Sequence, residues 1–155
     1  MLIFRSLWCC LLMGAVVGAP VRLATAQYPT PDPKVMSYKL PDQIKWTVNR
    51  DGAIVSTLYG NPAKTGLYIE LLKWEPHMMS HPHYHLHDRY ITVLKGTWWV
   101  EWGKKFDPSH TFPMTAGSYV VDYGRQVHYD GAKDGEVMLE IVGQGPGTAI
   151  PVKAE

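Results

Sequence analysis

Short β-type runs at close, regular spacing constrain this chain more than any other feature. IKWTV, AIVSTLY, GLYIELLKW, YITVL, TWWVEW, SYVVDY and EVMLEIV are rich in β-branched and aromatic residues, the side chains that fit a pleated, half-buried surface. Turn-forming groups stand between them: Arg50-Asp51-Gly52, Gly60-Asn61-Pro62, Lys95-Gly96, Asp107-Pro108, Asp130-Gly131 and Asp134-Gly135. No long stretch has the period of an amphipathic helix, and there is no internal repeat. The pattern predicts an all-β single domain, a sandwich or barrel.

Residues 1–26 read as a secretory signal peptide, apart from that domain. Arg5 gives a positive start, LWCCLLMGAVVGA an apolar stretch too short to span a bilayer comfortably, and Ala24-Thr25-Ala26 an A-x-A cleavage site. The address is export, periplasmic or secreted. Cys9 and Cys10, the chain's 2 cysteines, both fall in this segment, so the processed protein is expected to have neither disulfide nor thiol chemistry. Cleavage also removes Arg5 and Arg22 from the 15 basic residues, leaving them one short of the 14 acidic ones. That balance gives no reason to expect nucleic acid. No later apolar run is long enough to cross a membrane, so no membrane association is expected after processing. Residues 27–40 are rich in Pro and polar side chains and read as an extended N-terminal arm; residues 41–150 hold the β-domain.

Five of the 7 histidines, His77, His81, His83, His85 and His87, fall within eleven residues. On a strand His81, His83, His85 and His87 would share one face. Their Cα atoms would be ~6.6 Å apart pairwise and ~20 Å end to end, so a single ion, bound at ~2.0–2.2 Å, reaches only one adjacent His-x-His pair. Further ligands must come from other elements. His110 lies in DPSHTFP, a surface loop, whereas His128, in RQVHYD beside an apolar strand, is the better third ligand. A solvated histidine face is the plain alternative. Met78 and Met79 fit either as soft copper ligands or as apolar filling, the commoner use of Met.

This spacing resembles the cupin superfamily, in its small exported single-domain (cupin-2-like) form. The first cupin motif, G-x5-H-x-H-x(3,4)-E-x6-G, laid on the chain from Gly96, puts His83, His85 and position 89 on its three ligand positions. The second, G-x5-P-x-G-x2-H-x3-N, fits GSYVVDYGRQVHYDGA with Gly117 as its first glycine and His128 as its histidine. The departures are His77 and Arg89 for the first glycine and the acid of the first motif, and Tyr123, Arg125 and Ala132 for the proline, second glycine and asparagine of the second. The resemblance implies a cupin double-stranded β-helix, a jelly-roll barrel, with a metal held by His83, His85 and His128 near its mouth. It also implies a homodimer.

The replaced acid sharpens the expectation. A guanidinium neither ligates a cation nor loses its proton at ordinary pH. Arg89 therefore either turns away in an ion pair or stands beside the ion to hold an anionic substrate or an oxygen-derived anion. Asp88 is a displaced ligand if the strand bulges, or else an ion-pair or turn residue. Three neutral imidazoles suit one divalent transition metal, copper slightly ahead of iron, with zinc and nickel also compatible.

In TWWVEW, Trp98, Val100 and Trp102 are expected on one face and Trp99 and Glu101 on the other. At least one tryptophan then leaves the core, as a stacking platform for a sugar or as interface packing. Tyr123 and Tyr129 bracket His128 and are expected to line the mouth, Tyr123 as a catalytic side chain beside Arg89. The leading functional expectation is an exported mononuclear three-histidine oxidoreductase, with copper or iron, acting on a small-molecule or carbohydrate substrate. A metal-dependent isomerase or lyase for a sugar or sugar acid, with Tyr123, Tyr129 or His87 moving the proton, is the first alternative. A non-catalytic metal- or ligand-binding module is the second.

Overall fold

The computed structural model describes residues 29–153 and 155; the signal-peptide reading of residues 1–26 lies outside them. Residues 29–40 carry neither strand nor helix, only a turn at residues 33–35. A short 3-10 turn, Pro41–Gln43, follows.

Among the described residues there are eleven strands: β1 Thr47–Val48, β2 Ile54–Tyr59, β3 Gly66–Trp74, β4 His83–Tyr84, β5 Arg89–Lys95, β6 Thr97–Trp102, β7 Phe112–Thr115, β8 Tyr119–Asp122, β9 His128–Gly131, β10 Val137–Gly145 and β11 Ile150–Pro151. They pair into two antiparallel sheets, β1-β2-β3-β10-β5-β8 and β11-β4-β9-β6-β7, the walls of a jelly-roll barrel. The apolar runs of the sequence are β1, β2, β3, β5, β6, β8 and β10, as the all-β expectation required. Strands β4, β7, β9 and β11 have two to four residues each and lack a run of β-formers, so only tertiary pairing reveals them.

Period-two alternation fills the barrel. Arg89, Ile91 and Val93 of β5 and Val137, Leu139, Ile141 and Gly143 of β10 are buried, while Tyr90 and Leu94 between them are exposed. Opposite them, Trp98 and Val100 of β6 complete the core with Trp74 of β3. Each such side chain contributes roughly 1.5–3 kcal/mol by leaving water. Gly96 links β5 to β6 at φ 77°, where a Cβ would strike the Glu136 carbonyl oxygen, so only glycine closes this corner without strain.

Two local expectations are corrected, and one departure from the motifs is explained. The alternating histidines do not form one strand: only His83 and Tyr84 pair, and the chain bends away on both sides. Asp130-Gly131 is not a turn but the end of β9, buried at both positions. A side chain on Gly131 would meet the Met78 carbonyl oxygen, so glycine lets the Met78-Met79 backbone lie against the strand. Finally, His77 and Arg125, which stand where the cupin motifs carry glycine, keep the glycine conformation, at φ 65° and 64°. The backbone of the motifs survives where their residue types do not.

Candidate metal centre

The pairing of β4 with β9 sets the site. His83 lies directly opposite His128, and His85 follows two residues on, where its carbonyl accepts the Arg125 N–H. All three imidazoles are buried, and their potential ligand atoms lie within 4.8 Å of one another. Nitrogens on one ion at ~2.1 Å stand at most ~4.2 Å apart, so modest ring rotations close the set.

Each ring is oriented by its other nitrogen. Nδ1 of His83 meets the His81 carbonyl at 2.8 Å, Nδ1 of His85 the Gly147 carbonyl at 3.1 Å, and Nδ1 of His128 the Gln126 carbonyl at 3.2 Å. A carbonyl only accepts, so each Nδ1 carries the proton and each Nε2 keeps its lone pair. Burial, reinforced by the positive charge of Arg89, pushes the His85 pKa far down; burial likewise lowers that of His128 against the opposing pull of Asp122. Both rings are therefore neutral near pH 7. Nε2 of His85 is buried with no partner among the described residues, a costly arrangement unless something electrophilic takes the lone pair. Three imidazoles gathered within 4.8 Å, the Nε2 of one of them orphaned, fit a borderline transition metal.

Arg89 turns inward beside this set. Its Nε and Nη2 donate to Asp122 Oδ2 at 2.8 and 2.7 Å, and Nη2 stands 3.5 Å from His128 Nε2. Both partners of this ion pair are only 10% exposed at the side chain. Deeper still lies Asp130, held by Trp98 Nε1 at 2.7 Å, Trp74 Nε1 at 3.0 Å and Ser80 Oγ at 3.1 Å. Burial alone would raise its pKa, but the facing imidazoles, the Trp98 N–H and the Arg89 charge together hold the carboxyl below its usual range. An inner cavity touches His83, His85, Arg89 and Asp130. It adjoins a wider mouth that also reaches Glu70, Pro62 and Thr148.

No protein-family model matches the chain and no curated protein matches it by sequence. Solved structures do match. The polyketide cyclase RemF from Streptomyces resistomycificus aligns with a TM-score of 0.64 at 14% identity, over 77% of this chain and 87% of that one. A cupin-like protein from Thermotoga maritima aligns at 0.55 and 20% identity, over 70% and 80% of the two chains. The chain has the cupin fold. A structure of the DMSP lyases RdDddP and RnDddQII shares it, at a TM-score of 0.56 and 15% identity over 72% of this chain and 63% of that one.

Within this fold, several expected site residues are placed elsewhere. Tyr123, just past the end of β8, is 63% exposed and lines an outer groove with Trp102, Asp122 and His128; it does not line the inner cavity of His83, His85 and Arg89. Tyr129 is buried, bonded through its hydroxyl to the Asp107 backbone and packed at a tilt against Phe106, with ring centroids 5.1 Å apart. His87 and Asp88 are exposed, and Asp88 Oδ1 accepts the Gly124 N–H, the turn role rather than ligation. Trp98 is core, Trp102 is 68% exposed, and Trp99 carries Lys133 over its ring at 3.9 Å. Three inward carboxylates, Asp122, Asp130 and Glu70, had no place in the sequence reading. For Asp130 the signal was present: in H-Y-D it shares the face of His128.

Proposed function

We propose that this protein is an exported mononuclear metalloenzyme in which His83, His85 and His128 hold copper or iron, and that it is an oxidoreductase acting on a small anionic substrate or a carbohydrate. The observation that carries the metal reading is the orphaned Nε2 of His85 beside two oriented imidazoles. Arg89 supports the substrate class: a buried guanidinium beside the ligand set, paired to Asp122, suits an anion that docks against its free face. Arg89 Nη2, aimed at the ligand face, is the donor that orients that anion. Bound copper or iron supplies one-electron chemistry and Lewis acidity.

One observation favours a second reading, a metal-dependent isomerase or lyase: the mouth contains an inward carboxylate, Glu70, suited to moving a proton. A polyketide cyclase and DMSP lyases use the same fold. The test is EPR and reductive titration of the protein as isolated. A redox-active ion whose spectrum responds to oxidant and to small carboxylates supports the oxidoreductase. A redox-silent ion, with turnover of a keto sugar acid, selects the isomerase or lyase.

A further inference from the structure

Strand β3 turns Tyr68, Glu70, Leu72 and Trp74 toward the barrel interior, since Trp74 and Leu72 line the inner cavity and Glu70 the mouth. Tyr68, Leu72 and Trp74 belong to the packed core or its margin. Glu70 does not. It shares the mouth with His85 and Arg89, and its Oε1 accepts only the Thr57 hydroxyl at 3.1 Å. Among the described residues no donor reaches Oε2.

The other carboxylates bordering these cavities are committed: Asp51 to Arg50 at 3.6 Å, Asp122 to Arg89, and Asp130 to the two indoles and Ser80. The groups facing Glu70 are Tyr68 on its own strand, Thr57 on β2, Ile141 on β10, Arg89 on β5 with Asp122 behind it, and His85 after β4. Burial raises the proton affinity of Glu70, while the Thr57 hydroxyl and the Arg89 charge oppose the rise. An anion docked on Arg89 offsets that charge and raises the proton affinity further.

We propose that Glu70 is the proton-transfer residue of the centre, taking a proton from an anionic or weakly acidic ligand held against Arg89 and His85. The ligand's O–H or C–H bond breaks, the proton forms a bond to Glu70 Oε2, and the electron pair stays on the ligand facing the Arg89 guanidinium. The substrate class is thus a small carboxylate or hydroxy acid with an acidic hydrogen within reach of β3. The proposal rests on the reading of His83, His85 and His128 as a metal centre.

The test is calorimetry of the Co2+-loaded protein near pH 7 in buffers of different ionisation enthalpy, with acetohydroxamic acid as a probe that must lose a proton and formate as one that need not. Wild type is expected to bind acetohydroxamic acid with close to zero net proton release, because Glu70 keeps the proton; Glu70→Gln is expected to release about one per site and bind about tenfold more weakly. Formate affinity is expected to change by less than about twofold in that variant. Release of about one proton by wild type itself, or identical proton counts in wild type and Glu70→Gln, overturns the proposal. Failure of wild type to take up stoichiometric Co2+ instead overturns the metal-centre reading beneath it.

Discussion

Asp130→Ala is the sharpest probe of the buried frame behind the histidines. In the native protein one carboxylate oxygen accepts both indole N–H groups, from Trp98 at 2.7 Å and Trp74 at 3.0 Å, and the other accepts Ser80 Oγ at 3.1 Å. Asp130 is 5% exposed and both tryptophans 2%, so water does not readily replace what alanine removes. Each stranded donor costs roughly 1–3 kcal/mol. Ser80 recovers part of its share by rotating, and losing a buried charge returns some desolvation energy. The net loss is therefore roughly 3–5 kcal/mol, a large part of a small domain's stability. Asp130→Asn keeps an oxygen for the indoles and turns its NH2 toward Ser80 Oγ, at a cost of roughly 1 kcal/mol. Urea unfolding of the metal-free protein at neutral pH, followed by tryptophan fluorescence, measures both. A loss below about 1 kcal/mol for Asp130→Ala, or equal losses for the two variants, would refute the assignment of Asp130 as the shared acceptor.

Acidification should destabilise the metal-free protein. His85 and His128 have folded-state pKa values depressed below 6.5, so their contribution is fully present above pH 6.5 and is lost as pH falls toward the folded values, by about 1.4 kcal/mol per pH unit per imidazole; urea midpoints unchanged between pH 7 and 5 would contradict this. Arg125→Gly and His77→Gly should each raise stability by up to about 1 kcal/mol, because both positions hold left-handed backbone; thermal melts check the sign, and a loss in both would show that the side chains anchor these turns. Arg89→Glu places a second carboxylate against buried Asp122 and should cost roughly 3–5 kcal/mol without metal. It should also bind Mn2+ more tightly than wild type does, and unchanged Mn2+ affinity would mean that position 89 does not face the ion.

The parts of this site legible in the sequence were those fixed by short-range spacing. Through the resemblance to the cupin motif Gly96 selects His83 and His85, and His128 stands out as the histidine beside an apolar strand. The inward turn of Arg89, left open by the sequence, follows from β5 alternation with Ile91 and Val93. The carboxylates were hidden for different physical reasons. Asp130 carries a local turn signal with Gly131, and its partners are 32 and 56 residues away, so only the fold overrides the local propensity. Glu70 sits in GLYIELLKW, where both faces of the strand are apolar and parity does not say which is inside. Tyr123 shares an outer groove with His128, as their nearness in sequence suggests, but lies outside the cavity that holds His83, His85 and Arg89. No helical period was found, in keeping with the fold, and the short strands β4, β7 and β9 escaped notice because each has four residues or fewer and its stability comes from neighbours.

The most direct measurement is calorimetric titration of metal-free protein with Cu2+, for wild type and for His83→Ala, His85→Ala and His128→Ala. The expected result is about one ion per chain in wild type and a loss of affinity of at least about a hundredfold in each variant, with His85→Ala remaining folded. Absence of a stoichiometric site in wild type, or three variants that bind Cu2+ as wild type does, would contradict the assignment of these imidazoles as a metal centre.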